Sequence, residues 1–410
     1  MERMTKRILV ISGAFPPMRM AEANHTLHLC QHLAQHGVDV DLLTSHGAMA
    51  EDLPFNVHPI MRDWSWLEVP RFARFVRQCA PDAVLMIYIG FIYNDHPMST
   101  FAATICKRVL PEMPFVTQFE NVMGVRADKC SLAVRAIRKL AIRWAGAEGV
   151  DYEFGTLLRD SDGVIVLGGR HEAWFAERYP PMAKKCTLIP PPPITKMSDR
   201  GSEVSRQLGR QLLGIKPHEF GLVYFGYIFE NKGLETLLRA LHRVRSRGHD
   251  ARLVIAGGVP AHLHEERSSY AKQLEELART LGFVNEVVWT GQCDWNKDDA
   301  SLYLHAADVC VLPFDDGVSM NNSTFAAAAA HGLPIITTRG RSLERFFLHE
   351  DNVFLCPPRD PDSLATAIET LMLRPELRAR LASGASKLAD EWFSWNGAVE
   401  RTLAALDLRK

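Results

Sequence analysis

The chain has 410 residues, of which 47% are hydrophobic and 23% are charged. This length is typical of two domains, and the composition supplies enough apolar side chains for two cores. Lys and Arg number 47 against 48 Asp and Glu, which gives a net charge of -1. A dedicated nucleic-acid-binding protein normally shows a basic excess, so we predict no nucleic-acid partner.

Cysteine and histidine usage argues against a metal or disulfide framework. The eight cysteines include no Cys-x-x-Cys pair, and most lie in apolar runs, which predicts reduced core cysteines in a cytoplasmic protein. The sixteen histidines show no metal-ligand spacing. No apolar run is long enough for a signal peptide or a membrane span. We therefore predict a cytoplasmic protein without a metal site or a cofactor.

The first half alternates short apolar runs with helical patterns, beginning with a continuous apolar run at residues 7–12. Runs of this kind are typical of strands that are buried on both faces of a parallel sheet. The predicted strands are 7–12, 38–44, 82–88, 114–119, 163–167 and 186–189. The predicted helices are one that ends at Gly37, 99–110, 131–144 and one around Trp174.

Four consecutive prolines, 190–193, separate the two halves. Such a run favours an extended, semi-rigid segment, and the polar stretch to about Gly214 completes a predicted connection. The α/β alternation then starts again. The predicted strands are 221–226, 251–258, 287–291, 309–313, 334–338 and 352–356, with helices between them and a helical tail from Pro361. The pattern predicts two doubly wound α/β domains.

A polar cluster follows the strand at 309–313 and precedes five alanines, 326–330. Five of the six positions 319–324 are polar: Ser319, Asn321, Asn322, Ser323 and Thr324, with Met320 among them. Such residues are typical of an ordinary helix N-cap. The start of a helix at the carboxyl end of a parallel strand also binds anions. The density of polar residues favours the anion or ligand site.

Lys232 opens the helix that follows the first strand of the second half. A lysine at this position can contact a phosphate, although a solvated surface lysine is the alternative. Gly258 and Gly291 end two predicted strands, and the loops that follow them are further candidates for ligand binding.

The second half resembles group 1 glycosyltransferases, family 4 by sequence classification. The matching features are Gly226 with residues 232–238, 253–258, 288–291, 303–313 and 331–338. The resemblance implies two Rossmann-like domains facing across a cleft (the GT-B fold), a nucleotide-diphosphate sugar as donor, retention of configuration and no obligatory metal. It implies an acceptor domain at 1–195, completed by a C-terminal helix at about 391–410, and a donor domain at 196–390.

Several charged donor contacts of that family are absent. Its two glutamates, eight positions apart, correspond to Ser319 and Ala327, and its arginine after the first glycine is Tyr227. Its first-domain histidine is replaced by Glu120, which could act as a base or sugar ligand or pair with a basic residue. Of the charged donor contacts of that family, only the lysine has a counterpart here, which is Lys232.

Two explanations remain for the missing carboxylates. Either the polar cluster binds the donor differently, or the protein has kept the fold and lost the activity. The retained cluster favours the first. The predicted function is hexosyl-type transfer to a glycan, lipid-linked or small-molecule acceptor in polysaccharide or glycoconjugate biosynthesis. The alternatives are an inactive partner subunit and a nucleotide-sugar epimerase or hydrolase.

Acceptor-side candidates follow strands of the first half, although plain loops would look the same. Arg19, Asn24 and His25 are expected in the loop after the first strand, and Asp95 and His96 follow the strand at 82–88. Four basic residues lie on the predicted helix 131–144 and could touch an anionic membrane or simply be solvated. These are Arg135, Arg138, Lys139 and Arg143.

Overall fold

The computed structural model describes residues 6–49, 51–122, 124, 130–151, 153–259, 264–293 and 297–407. The chain divides into two compact units, Met1–Pro190 with Trp395–Lys410, and Pro191–Ser394. Both units are built on a parallel sheet flanked by helices, which is the Rossmann-like doubly wound architecture predicted from the sequence.

The first unit contains a seven-stranded sheet in the order β3-β2-β1-β4-β5-β6-β7, with all neighbours parallel. Its strands are β1 Arg7–Ile11, β2 Asp39–Ser45, β3 Asn56–Met61, β4 Ala83–Tyr88, β5 Phe115–Phe119, β6 Gly163–Val166 and β7 Cys186–Leu188. Its α-helices are α1 Ala21–Gln35, α2 Val69–Cys79, α3 Ala102–Val109, α4 Leu132–Ala145, α5 Leu157–Asp160, α6 Gly169–Arg178 and, from the end of the chain, α14 Trp395–Ala405.

The second unit contains a six-stranded parallel sheet in the order β10-β9-β8-β11-β12-β13. Its strands are β8 Phe220–Phe225, β9 Ala251–Ala256, β10 Val287–Gly291, β11 Val309–Leu312, β12 Ile335–Thr338 and β13 Phe354–Cys356. Its α-helices are α7 Ser202–Leu213, α8 Leu234–Ser246, α9 His264–Thr280, α10 Asp299–Ala306, α11 Ser323–Ala330, α12 Pro361–Leu373 and α13 Pro375–Trp392.

The central strands are buried on both faces. Every residue of β4 and of β11 is buried, as expected for strands covered by helices on both sides of a parallel sheet. The strand order reverses between β1 and β4 in the first unit and between β8 and β11 in the second. Ligands of open α/β sheets bind at such reversals. The loops that follow these four strands are therefore candidate ligand sites.

The predicted connection after the prolines contains a helix that the sequence did not indicate. α7 packs on α10, and Arg206 on α7 donates to the carbonyl of Ala307 at 2.8 Å and to Asp308 Oδ1 at 2.6 Å. Two of its buried positions are Ser205 and Gly209. Small residues replace large apolar ones on the buried face, which is why the helical pattern was missed.

The C-terminal helix α14 belongs to the first unit and packs on α1. The Trp395 ring stacks on His32 with 4.7 Å between ring centroids, and it lies 5.7 Å from His28 and 5.8 Å from His25. The units divide after Pro190 and Ser394, near the predicted boundaries at 195 and 391. Among the described residues, no helix has the length and apolarity needed to cross a bilayer.

Replacing Trp395 by Ala should lower the free energy of unfolding by about 2–3 kcal/mol, because it removes the ring that packs on α1. Equilibrium unfolding in urea measures this loss. The matched control is Glu400→Ala, an exposed position of the same helix, which should change stability by less than about 0.5 kcal/mol. Equal losses for the two variants would show that the ring does not hold α14 in place.

Candidate functional site

In the second unit, the loops after β8 and β11 lie against each other at the carboxyl edge of the sheet. A Cβ atom on Gly233, which has a φ of +69°, would lie 1.9 Å from the Pro313 carbonyl oxygen. A Cβ atom on Gly226 would lie 2.7 Å from Cγ2 of Thr324. Only glycine fits at these two positions, and the two loops approach closely because of it.

A buried carboxylate organises the polar loop that precedes α11. Glu344, from the segment after β12, accepts hydrogen bonds from Ser319 Oγ at 2.7 Å and from the Met320 N–H at 3.3 Å. Asn322 Oδ1 accepts from the Ser319 N–H at 2.7 Å. The loop is therefore held by Glu344 together with Ser319 and Asn322, two residues that the sequence pattern assigned to a cap or to a ligand site.

The first turn of α11 begins without a side-chain cap. Asn322 occupies the N-cap position, but its side chain makes no capping hydrogen bond, since its oxygen accepts from Ser319. The ordinary-cap alternative is thus not what the structure shows. The N–H groups of Ser323 and Thr324 stand at the positive end of the helix dipole, and both residues are partly exposed.

Lys232 ends a short 3-10 helix, Glu230–Lys232, after β8. Its ammonium nitrogen lies 4.6 Å from the ring centroid of Phe229 and 5.0 Å from that of Phe314. Phe314 belongs to the loop after β11, so the two aromatic rings hold Lys232 beside the loop that leads to α11. This places the predicted lysine at the strand-order reversal of the second sheet.

The remaining donor-side candidates differ in how accessible they are. Met320 is wrong as a side-chain contact, because its side chain is buried in the core and its N–H bonds to Glu344. Tyr227 is partly exposed, and its carbonyl accepts from the Tyr224 hydroxyl at 2.7 Å. Gly291 ends β10 on the surface. Ala327, where the resemblance predicts a glutamate in other proteins, is buried in the core.

In the first unit, Gln118 joins His25 to Glu120. Gln118 Nε2 lies 2.9 Å from His25 Nε2 and donates to Glu120 Oε1 at 2.7 Å. An amide group carries two hydrogens and can donate to both, in which case His25 Nε2 accepts and the proton of the neutral ring sits on Nδ1. Burial lowers the pKa of His25 to about 4, which agrees with a neutral ring.

Two carboxyl groups near this cluster titrate close to neutrality. Burial raises the pKa of Glu120 to about 7, opposed by the hydrogen bond from Gln118. Burial also raises the pKa of Glu22 to about 7, and the charge of Glu120 contributes in the same direction. Each of these glutamates can therefore take up or release a proton near pH 7.

The other acceptor-side candidates do not all lie in loops. Asn24 and His25 belong to α1 and are buried, because α1 begins at Ala21, earlier than the sequence indicated. Its N-cap residue is Met20, which gives no capping signal. Arg19 is exposed just before the helix.

Asp95 and His96 follow β4, at the strand-order reversal of the first sheet, and both are partly exposed. The ring centroid of His96 lies 5.7 Å from that of Trp66, and its Nδ1 accepts from the Met98 N–H at 3.1 Å. Burial lowers the pKa of His96. These contacts favour a neutral ring.

Arg138 does not share an exposed face with the other basic residues of α4. Its side chain is buried, whereas Arg135, Lys139 and Arg143 are exposed. Within the described ranges, no group of three or more His, Cys, Asp and Glu could hold a metal ion, and metal independence stays a prediction. A groove of about 560 Å³ between residues 345–352 and α13 contains none of the predicted site residues.

Sequence reasoning missed Gln118 and Glu344. Gln118 follows Thr117 as a second polar residue between the apolar residues of β5, a signal that could have been noticed. Glu344 gives no local signal, because its partners Ser319 and Met320 precede it by 25 and 24 residues.

The chain shares its fold, two Rossmann-like units, with solved structures of GT-B glycosyltransferases. The structure of Anabaena HepE in complex with UDP and glucose superposes with a TM-score of 0.69 at 18% identity, covering 98% of this chain and 99% of that one. Residues 219–374 match the model of the family described as Glycosyl transferases group 1, which confirms the predicted resemblance for the part that runs from β8 to α12.

Curated relatives match over part of their length. An uncharacterized glycosyltransferase of Methanocaldococcus jannaschii is 27% identical over 194 residues, 47% of this chain and 46% of the relative. A D-inositol 3-phosphate glycosyltransferase of Saccharomonospora viridis is 31% identical over 207 residues, 48% of this chain and 45% of the relative. The chain thus spans about half the length of these relatives.

Replacing Glu344 by Gln should loosen the loop before α11, since a neutral amide accepts hydrogen bonds more weakly than a carboxylate. We expect a loss of about 1–2 kcal/mol in unfolding free energy. Hydrogen exchange should quicken at the amides of residues 319–322. The control is Glu350→Gln, which disturbs only a more exposed ion pair with Arg380 at 3.7 Å. Unchanged exchange in the Glu344 variant would contradict the organising role of this carboxylate.

Replacing Glu120 by Gln should change how stability depends on pH. Between the ordinary glutamate pKa of 4.5 and the folded pKa of about 7, wild type loses stability as pH rises, because the unfolded state ionises more readily. The variant lacks this loss. Its stability relative to wild type should rise by about 1–3 kcal/mol from pH 5 to pH 8.

Urea unfolding across that pH range checks the expected change at Glu120. Glu112→Gln, at an exposed position of the same unit, provides the control and should follow wild type. If the unfolding free energies of wild type and both variants changed with pH in parallel, the expected rise in the pKa of Glu120 would be contradicted.

Proposed function

We propose that the protein transfers a sugar from a nucleotide-diphosphate sugar to an acceptor. The observation that carries this proposal is the uncapped start of α11 beside the loop that contains Lys232, at the strand-order reversal of the second sheet. Both features lie within the part of the chain that matches the family of group 1 glycosyltransferases.

The chemistry requires stabilisation of a departing diphosphate. As the bond between the anomeric carbon and the phosphate oxygen breaks, negative charge grows on the diphosphate. The new bond forms to a hydroxyl oxygen of the acceptor, and the proton of that hydroxyl is released to a base. The first-turn N–H groups of α11 and the ammonium group of Lys232 are proposed to stabilise this charge. Retention of configuration is proposed from the family resemblance alone.

Hydroxyl and amide groups are proposed to replace the missing carboxylates as partners of the donor sugar. Asn321, Ser323 and Thr324 are partly exposed at the start of α11. The position of the first family glutamate holds Ser319, and its hydroxyl donates to the carboxylate of Glu344. The carboxylate of Glu344 thus lies directly next to the side chain that replaces the family glutamate. Its presence supports an adapted donor site over one that has lost its function.

The acceptor side is proposed to lie in the first unit. Glu120 is proposed to bind a sugar hydroxyl or to accept a proton, because its pKa of about 7 allows both states near neutrality. The structural neighbour HepE was crystallised with UDP and glucose, which supports a nucleotide-sugar partner. The acceptor is proposed to be a glycan, a lipid-linked sugar or a small molecule.

Thermal unfolding with a panel of UDP, GDP, ADP, CMP and dTDP, with and without magnesium, tests the donor site. One nucleotide should raise the unfolding temperature, because a ligand that binds only the folded state stabilises it. Lys232→Ala should weaken that binding at least about tenfold, since it removes a charge-assisted contact to phosphate. Lys216→Ala, an exposed lysine of the same unit, is the matched control and should bind as wild type does.

The same measurements separate the alternative functions. Absence of a shift with every nucleotide would point to a partner subunit without activity. A donor that is cleaved or converted with no acceptor present would point to hydrolysis or epimerisation. Equal binding by wild type and Lys232→Ala would contradict the proposed phosphate contact.

A further inference from the structure

Helix α4 exposes four large apolar side chains in the first unit. Their exposed fractions are 81% for Leu132, 67% for Leu140, 48% for Trp144 and 43% for Ile137. Single exposed apolar residues are common on protein surfaces, but four on one helix of 14 residues form a continuous patch. A patch of this kind is typical of a surface that contacts another phase or another molecule.

The spacing of these residues places them on one side of the helix. At about 100° per residue, Leu132, Ile137, Leu140 and Trp144 fall within an arc of about 140°. The exposed alanines Ala133 and Ala136 lie in the same arc. We call this arc the apolar face of α4.

A row of positive charge borders the apolar face. Arg135, Lys139 and Arg143 are exposed and fall within an arc of about 80° that overlaps the edge of the apolar face at Arg143. The sequence of α4 contains no acidic residue. The third side, with the buried Arg138 and the partly buried Ala141 and Ala145, faces the unit itself.

The helix is fixed at both ends, so the apolar face is a permanent feature of the folded unit. Ser131 Oγ accepts from the Val134 N–H at 3.3 Å and caps the start. At the other end, Arg159 donates to the carbonyls of Ala145 at 3.0 Å and Gly146 at 2.7 Å. The guanidinium of Arg108 lies 4.3 Å from the Trp144 ring centroid.

We propose that the apolar face of α4 and its basic border dock the protein onto an anionic lipid bilayer, with the helix axis parallel to the membrane plane. Leucine, isoleucine and tryptophan side chains insert at the boundary between headgroups and acyl chains, and the basic row binds anionic headgroups. This geometry needs no membrane-spanning helix.

A second copy of the chain fits this surface less well than a bilayer does. A two-fold contact in which two α4 helices pack antiparallel through their apolar faces would bring the two basic rows together, and like charges at an interface oppose association. An anionic lipid surface supplies the complementary charge. The proposal concerns a surface of the first unit and does not depend on the sugar-transfer activity.

Sedimentation with vesicles tests the docking surface. The full chain should bind vesicles that contain phosphatidylglycerol, and it should bind neutral phosphatidylcholine vesicles at least about tenfold more weakly. The double variant Leu132→Asp, Leu140→Asp should lose at least about tenfold in binding to the anionic vesicles. Leu373→Asp, with 70% exposure on α12 of the second unit, is the matched control and should bind as wild type does.

Three results would overturn the proposal. The first is equal binding of the double variant and wild type to anionic vesicles, and the second is failure of wild type to bind them. The third is a wild-type dimer in light scattering that the double variant abolishes, which would assign the apolar face to self-association. Unfolding temperatures and nucleotide-induced shifts that match wild type confirm that the double variant is folded.

Discussion

The parallel alignment of strands governs the location of every candidate group in the second unit. Because all strands run the same way, the loops that follow β8, β11 and β12 meet at one edge, although they are far apart in sequence. Two glycines, Gly226 and Gly233, permit the close approach of the loops that follow β8 and β11. The ammonium group of Lys232, the first turn of α11 and the carboxylate of Glu344 are brought to this edge by the sheet, not by any local motif.

The buried carboxyl groups of the two units lie in different environments. In the second unit, the carboxylate of Glu344 is satisfied by a hydroxyl and a backbone N–H, and it serves to shape a loop. In the first unit, burial raises the pKa values of Glu22 and Glu120 towards neutrality, and the hydrogen bond from Gln118 only partly offsets this effect at Glu120. Carboxyl groups held in this way are typical of proton transfer or of binding to hydroxyl groups, whereas Glu344 has a structural role.

The sequence predicted much of the fold because most central strands are continuous apolar runs with glycine or proline at their ends. It failed at α7, where Ser205 and Gly209 occupy buried positions and remove the apolar periodicity. It also placed the start of α1 too late, since Met20 gives no capping signal. At the candidate site, Lys232 and the residues around α11 could be predicted from the sequence, but Glu344 could not. Its role depends on a contact across 25 residues that only the sheet creates.

The return of α14 to the first unit has a consequence for biosynthesis. One hydrophobic cluster of that unit contains Ile8 and Val10 from the beginning of the chain and Val399 and Leu406 from its end. A ribosome delivers the chain from the N-terminus, so the second unit, Pro191–Ser394, has emerged before the residues that complete the first. The core of the first unit therefore stays incomplete while the second unit is synthesised. During that interval the apolar surface that α14 later covers is open to chaperones and to aggregation.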